Sequence, residues 1–595
     1  MPKPTLSNHL IGKGYFKVRD FSDLREMLKQ SAERFAEETA FKYRTSPEGR
    51  ILEKSYSDFD MDVDSLGTAL CSLGLQGKKI AIIGDNSYHW AVSYISIING
   101  TGTVVPLDKM LPENEILGLL DRSQVSAIFY HPHFQGAMDR YAKSNKKIEK
   151  FISMSFSEKI SSTELFTNVH GLFELGFSLL SQNNRAFVDA PINPEAPLIL
   201  LYTSGTTNKS KAVMLCHRNL CADLRGFVSF ITIGPGDVML SILPLHHTFE
   251  NTCGLITPLL AGACIAYCDG LRFITKNLSE FEVSYIIGVP LLFENMYDKV
   301  IETIKKTKKY LPFRIALFLS NILRKFGIDK RRKFFTKIHD SFGNKLRTFI
   351  SGAAPLSDRV AKGFTDIGIS VFQGYGLTET SPVIAGCNEH VLVHGTCGHP
   401  IEGIEVKIDS EAPGIPGEIL VKGPIVMLGY ADDPEATAEV IRDGWFHTGD
   451  IGLVEKHGLL KITGRLKSMI VLNSGKKIFP EEIETLLNKI PFIKESLVFA
   501  NSRKDGETDV YARLVLDKEK VSQDITEAFD DAIISNLIGL EIKSINRQLP
   551  SFKSIKHFFF GYEEMPKTTT LKIKRNDAIS GIDLKESDKK NIDKK

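Results

Sequence analysis

The sequence predicts a layered α/β protein: a large N-terminal α/β domain carrying a barrel-like β subdomain, then a small C-terminal α+β domain. Three observations predict it. Short apolar, β-rich runs alternate with helical patterns over most of the chain, Gly and Pro punctuate short strands after about Cys397, and a compact mix of helices and strands follows Arg465. Domains are therefore expected at 1–465, with 398–464 the β subdomain, and at 466–580, with 581–595 a charged, disordered tail.

From Ser22 to Phe35 the apolar positions Leu24, Met27, Leu28 and Phe35 behind a Ser-Asp start have the spacing of one buried helical face. Strands are expected at Lys79–Gly84, Thr103–Leu107 and Ala127–Tyr130, separated by helices at Ser87–Ile98 and Pro112–Asp121. Alternation of this kind means parallel strands with right-handed crossovers. Leu198–Tyr202, Val238–Ile242, Ala263–Tyr267, Tyr285–Val289 and Thr348–Ser351 are nearly uninterrupted in apolar character, as strands covered on both faces require. Val406–Ile408, Glu418–Lys422, Gly452–Glu455 and Leu460–Gly464 read as short antiparallel strands. Beyond Arg465, Pro480–Asn488 and Ser522–Leu537 read as helices, and Glu495–Ala500 and Val510–Leu516 as strands.

Composition narrows the function classes. In 595 residues, 74 Lys and Arg face 72 Asp and Glu, a formal net charge of +2, so no global field selects nucleic acid as partner. With 43% apolar and 25% charged residues the chain is ordinary globular rather than disordered or fibrous. No run offers the roughly 18 apolar residues of a spanning helix, and the N-terminus lacks a signal peptide's apolar core, so a cytoplasmic location is expected. The eight cysteines show no CxxC pair and are read as reduced, buried thiols.

After the strand Leu198–Tyr202 comes Thr203-Ser204-Gly205-Thr206-Thr207-Asn208-Lys209-Ser210-Lys211, a turn rich in hydroxyls and ammonium groups. It offers many donors to phosphate oxygens. It is not a Walker A loop, since no second glycine precedes the lysine. Further on lie Gln373-Gly374-Tyr375-Gly376-Leu377-Thr378-Glu379-Thr380, Asp443-Gly444-Trp445-Phe446-His447-Thr448-Gly449-Asp450, Gly464-Arg465-Leu466-Lys467 and Pro566-Lys567-Thr568 with Lys572. In this order the set resembles the adenylate-forming superfamily of acyl-CoA synthetases, luciferases and peptide-synthetase adenylation domains. Leu243-Pro244-Leu245-His246-His247-Thr248-Phe249-Glu250 and Val289–Tyr297 resemble its long-chain fatty acid subgroup. Leu291 stands where that subgroup usually has arginine, Leu571 where the superfamily has glycine, and Asn208, Ser210 and Ala212 replace Gly, Pro and Gly of the phosphate loop.

The resemblance implies ATP-dependent, AMP-forming activation of a medium- to long-chain fatty acid, followed by transfer to the thiol of coenzyme A. It implies that the C-terminal domain is mobile. Thr203, Ser204, Gly205, Thr206, Thr207, Lys209 and Lys211 would hold the β- and γ-phosphates, Glu379 would ligate Mg²⁺, and Thr378 would bind the α-phosphate. A carboxylate suits a hard, oxygen-seeking ion. Gly352, Ala353, Ala354 and Pro355 would admit the adenine, with Gln373, Gly374, Tyr375 and Gly376 forming the nucleotide motif and the Tyr375 ring stacking on the base. Asp450 would accept from the ribose hydroxyls, with Arg465 beside it. Lys572 would offset charge at the α-phosphate. His247 would lie at the acyl pocket, although a buried histidine with a structural partner is the plainer reading of that residue. For the second half-reaction the small domain would pivot near Lys467 and present the Gly475 loop to pantetheine. An acyl carrier protein could replace coenzyme A as acceptor, and a non-catalytic acyl-binding relative stays open.

Between residues 305 and 337 twelve Lys and Arg face one acid, Asp329, and enclose the apolar run Leu311–Leu323. A segment lying on an anionic membrane, at its inner face, has this composition. A helical insertion packed on its own domain has it too.

Overall fold

The computed structural model describes residues 7–145, 147–155, 163–203, 210–502, 507–524, 531–567 and 573–580. They divide into two compact units, His9–Val406 with Leu420–His447, and Met1–Asn8 with Lys407–Ile419 and Thr448–Lys595. The region read as a β subdomain, 398–464, is shared between the two rather than forming a unit of its own. Residues 448–465 group with the C-terminal residues because their strand pairs Asp450 with Arg465, and because Gly464 sits so close to Phe479 that a Cβ would come within 2.7 Å of it. The tail 581–595 lies outside the described residues.

The larger unit contains two mostly parallel sheets, as the unbroken apolar runs require. One has eight strands, in the order Gly429–Tyr430, Lys211–Leu215, Ile199–Thr203, Gly102–Leu107, Lys78–Ile83, Ala127–Tyr130, Lys150–Ser153 and Phe166–Asn168. The other has nine, with Ser370–Gly376, Thr348–Ser351, Tyr285–Gly288, Val238–Ser241, Cys264–Tyr267 and Thr39–Tyr43 running parallel along its centre. Helix Leu24–Arg34 starts at Asp23, whose side chain accepts from the Glu26 amide, and buries Leu24, Met27 and Leu28. Helix Tyr88–Ser96 starts at Ser87, which caps Trp90. Among the strands that escaped the sequence reading, Lys211–Leu215 returns antiparallel to Ile199–Thr203, so the phosphate loop is the connection of a hairpin. Ala212–Leu215 is too short an apolar run to separate from the loop before it.

In the smaller unit Ile493–Ser502, Thr508–Leu516 and Ile555–Gly561 form a three-stranded sheet. Helix Pro480–Leu487 packs Ile483 and Leu487 into its core with Ile534, Ile538 and Ile542. The helix expected at 522–537 is displaced: helices are found at Lys518–Asp524 and Asp531–Asn546. The i, i+4 series Ile534, Ile538, Ile542 and the nearby Ile545, all buried, carry the second one past Leu537. Strand Ile555–Gly561 was not foreseen; His557 to Phe560 look equally like a surface loop until they pair with Thr508–Leu516.

Candidate functional site

In the larger unit the motifs gather at the carboxyl ends of the parallel strands. Gly288, Ser351 and Gln373 are level in register; the first two end their strands, and the strand of Gln373 runs on to Gly376. Crevices in α/β sheets form at this edge, because each strand delivers a loop there. The Gly352 amide donates to the Gly288 carbonyl at 3.2 Å. A Cβ on Gly352 would lie 2.8 Å from the Phe249 ring, so the absence of a side chain lets Phe249 of the Leu243–Glu250 motif close over the Gly352–Pro355 loop. Ala353 has φ +69°, a left-handed conformation that costs a non-glycine residue about 1 kcal/mol or more. Gln373 accepts from the Gly395 amide at 3.3 Å. Tyr375 is buried beside a bulge in the pairing of its strand with Val383–Gly386, and Gly376 leaves no room for a Cβ against the Pro382 carbonyl.

The bulge sends the chain into the turn Thr378–Thr380. There the Glu379 carboxylate accepts from the Tyr430 hydroxyl at 3.0 Å, while its backbone carbonyl accepts from Met427. Burial, and next the Glu379 carboxylate, hold the Tyr430 phenol far above its usual range, so it stays a donor. The Lys211 ammonium lies 4.8 Å from the centre of the same ring. Thr203 and Lys211 face each other across the hairpin, and Arg122 donates to the Ser210 carbonyl at 2.6 Å. The two ends of the phosphate loop and Glu379 are thus tied together through Tyr430. Ser204, Gly205, Thr206, Thr207 and Lys209 lie outside the described residues.

The Leu243–Glu250 motif is held differently. Asn86 donates to the Ser241 hydroxyl and the Leu243 carbonyl and accepts from the Leu245 amide, clamping the turn before His246. Ser241 donates to Glu250 at 2.5 Å. Glu250 is wholly buried and its pKa is pushed up to about 8, by burial first, with the Ser241 hydrogen bond opposing. Burial, and next His246, push His247 down to about 3 against the pull of Asp108. At neutral pH the imidazole is therefore uncharged. Below the Glu379 turn, wholly buried Asp223 accepts from the Val383 amide at 2.8 Å, and burial raises its pKa well above the usual range.

In the smaller unit Asp450 is 2% exposed and pairs with Arg465 at 2.8 Å, opposite it in the hairpin. Thr448 and Glu418 fix the turn before it, accepting from the Asp450 and Gly449 amides. Lys467 is exposed on the turn Leu466–Ser468, and Gly475 has φ +75° in an exposed turn between two-residue strands. Lys567 binds Glu495 at 2.5 Å and Glu564 at 2.8 Å. Burial opposes its charge, but those bonds raise its pKa. Lys572 lies outside the described residues.

Among the described residues two groups have ligating atoms within 4.8 Å of one another: Asp108, His246 and His247, and Asp85, His131 and His133. In the second, the Lys109 ammonium already bridges to Asp85. The Glu379 carboxylate offers the hard oxygens that magnesium takes. Asn86, Arg122, Asp223 and Tyr430 carried no sequence signal, because each lies far along the chain from the motif it supports.

Residues 28–431 match the AMP-binding enzyme family, and residues 467–581 match the AMP-binding enzyme C-terminal domain. The peroxisomal long chain acyl-CoA synthetase 7 of Arabidopsis thaliana is 30% identical over 81% of this chain and 72% of its own. Long-chain-fatty-acid–CoA ligase 5 of Rattus norvegicus is 29% identical over 88% and 82%. The chloroplastic long-chain-fatty-acid–[acyl-carrier-protein] ligase AEE15 of Arabidopsis thaliana is 28% identical over 84% and 77%. Among solved structures, ATP-bound MatB from Rhodopseudomonas palustris superposes with a TM-score of 0.73 over 95% of this chain and all of its own, at 22% identity. The anthranilate CoA ligase AuaEII with anthranoyl-AMP gives 0.74 over 96% and 99%, at 19%. At those identities the likeness shows the fold, a large N-terminal α/β domain with a smaller C-terminal one.

Proposed function

Because the chain belongs to the AMP-binding enzyme family, we propose that it is an acid–thiol ligase that activates a medium- to long-chain fatty acid with ATP and passes the acyl group to a thiol. In the first step a carboxylate oxygen attacks the α-phosphorus and the bond to pyrophosphate breaks, giving an acyl adenylate. In the second a thiol attacks the acyl carbon and AMP leaves. The observation that best supports the reading is the Lys211–Tyr430–Glu379 contact, at the residue that closes the phosphate-loop motif. It brings a cation and a carboxylate to the same tyrosine, and in this reading the pair serves to offset phosphate charge.

In this reading Thr203–Lys211 grips the terminal phosphates and Thr378 donates to the α-phosphate. Glu379 is the residue that would hold a magnesium ion, which when bound offsets phosphate charge. The loop Gly352–Pro355 and Tyr375 take the adenine, Asp450 accepts from the ribose hydroxyls, and Arg465 holds that carboxylate in place. Lys572 serves adenylation alone. The domain turns at Lys467, and the Gly475 loop meets the pantetheine arm. His247, neutral, borders the acyl chain. Coenzyme A is the proposed acceptor, and an acyl carrier protein is a second reading favoured by the AEE15 likeness. A cytoplasmic location with peripheral contact of 305–337 on an anionic membrane belongs to the same proposal.

Carboxylate-dependent exchange of pyrophosphate into ATP, run across chain lengths, tests activation and specificity together. Failure with every carboxylate would overturn the ligase reading and favour a non-catalytic acyl-binding protein. Thioester formation with coenzyme A against carrier protein then decides the acceptor.

A further inference from the structure

Helix Tyr310–Lys325 turns an apolar stripe away from its own domain. Leu311, Ile315, Phe318, Leu319, Ile322 and, just past the helix end, Phe326 are 70, 53, 67, 45, 37 and 76% exposed. Their spacing keeps them on one narrow face. The opposite face does the ordinary packing: Phe313, Ala316 and Leu317 lie against the core that holds Phe335, Phe342 and Phe364, and Ser320 is buried. The stripe is therefore surplus to the fold.

The charges around it sort into two kinds. Arg331 binds Asp329 and the Thr365 carbonyl, and Arg332 binds the Asn344 and Leu346 carbonyls, so these two fasten the segment to its own domain. Lys308, Lys309, Arg314, Lys325, Lys330, Lys333 and Lys337 are exposed and form no ion pair among the described residues. Among the described residues no helix is long and apolar enough to cross a membrane. An exposed apolar stripe flanked by unpaired cations is the pattern of a helix lying in the interface plane. A second copy of the chain fits poorly, since it would press two sets of cations together.

We infer that the stripe from Leu311 to Phe326 docks on an anionic lipid bilayer, its side chains at the headgroup–acyl boundary and the unpaired cations on the headgroups. The inference rests on the fatty acid reading above: such a substrate partitions into the bilayer, and docking puts the enzyme at its source.

The full chain is sedimented with phosphatidylcholine vesicles, with and without phosphatidylglycerol, at low and high salt. Binding to anionic vesicles should exceed binding to neutral ones by about tenfold or more and fall in high salt. Two variants are compared, one with Leu311→Ser, Phe318→Ser and Phe326→Ser, the other with Lys308→Ser, Lys309→Ser, Arg314→Ser and Lys325→Ser. Each should lose about tenfold in binding or more while keeping its unfolding midpoint. A Phe318→Trp chain read with brominated lipids keeps the test open should either variant misfold: quenching of the new tryptophan supports insertion, and its absence overturns it. Indifference to lipid charge, folded variants that bind as before, or a dimer that the Ser variants dissolve would each overturn the inference. Pyrophosphate exchange is measured beside it. Exchange without vesicle binding sinks this inference alone, and vesicle binding without exchange sinks the ligase reading and leaves docking standing.

Discussion

Around Glu379 the carboxylate, the Tyr430 hydroxyl and the Lys211 ammonium are tied to one another, whereas desolvation holds Glu250 and His247 neutral. The two regions adjoin: Phe249 closes over Gly352, and Thr252 donates to the Ser381 carbonyl at 3.1 Å. In the proposed reading the Glu379 region meets a triphosphate, which brings several negative charges, and the His247 region meets an alkyl chain. An alkyl chain brings none, and a charge left beside it would go unsolvated. Desolvation raises Glu250 to about 8 and lowers His247 to about 3. Both shifts remove charge, from opposite directions.

The largest expected effect follows from the role proposed for Lys572. Lys572→Ala should cut adenylation about 10²–10³-fold and leave thioester formation from supplied acyl adenylate nearly intact. Equal losses in the two half-reactions, assayed separately, would remove the lysine from its role. Glu379→Gln should lower turnover by about 10²-fold and shift the magnesium requirement, read from exchange rates over a magnesium titration. In the smaller unit Asp450→Ala should mainly weaken ATP binding; an affinity change within about twofold, under ~0.5 kcal/mol, would end the ribose assignment.

The seam between the regions is tested by Gly352→Ala, which forces a methyl against the Phe249 ring and should cost about 1–3 kcal/mol in denaturant unfolding. Combined with Phe249→Ala it should cost less than the sum of the two single changes; strict additivity would mean that the contact does not set the spacing.

On the neutral side Glu250→Gln changes the pH dependence of stability. A carboxyl whose pKa is raised by folding stabilises fully below its unfolded value and loses that contribution as pH rises through the folded value. Wild-type stability should therefore fall between about pH 4.5 and 8 by up to ~1.4 kcal/mol per pH unit from this group. Glu250→Gln should flatten that slope in thermal scans, and parallel curves would show the carboxyl ionised. His247 acts in the opposite sense, its contribution present above about pH 6.5 and lost toward pH 3. The smallest effect is Tyr430→Phe, about 0.5–1.5 kcal/mol for one hydrogen bond, read as a severalfold loss of exchange. No loss would make the phenol a bystander to Glu379.

The motifs were legible because each is local: a strand ends, a loop begins, and the chemistry sits in the next few residues. What holds the motifs was not. Asn86 clamps Leu243–Leu245 from more than 150 positions away, and Tyr430 reaches Glu379 from 51 away. The basic segment shows the same limit. Its composition pointed to a lipid surface, and Arg331 and Arg332 counted there with the rest, yet both are spent on backbone carbonyls of their own domain.

By itself the sequence determined the layered α/β class, the order of the motifs and the chemistry their residue types can perform, since periodicity and side-chain type are properties of neighbours along the chain. Only the tertiary structure decided which groups keep their charge, which cations stay unpaired and which face of helix Tyr310–Lys325 points outward. Those depend on burial and on partners brought from distant segments, and desolvation acts through space, without regard to sequence separation.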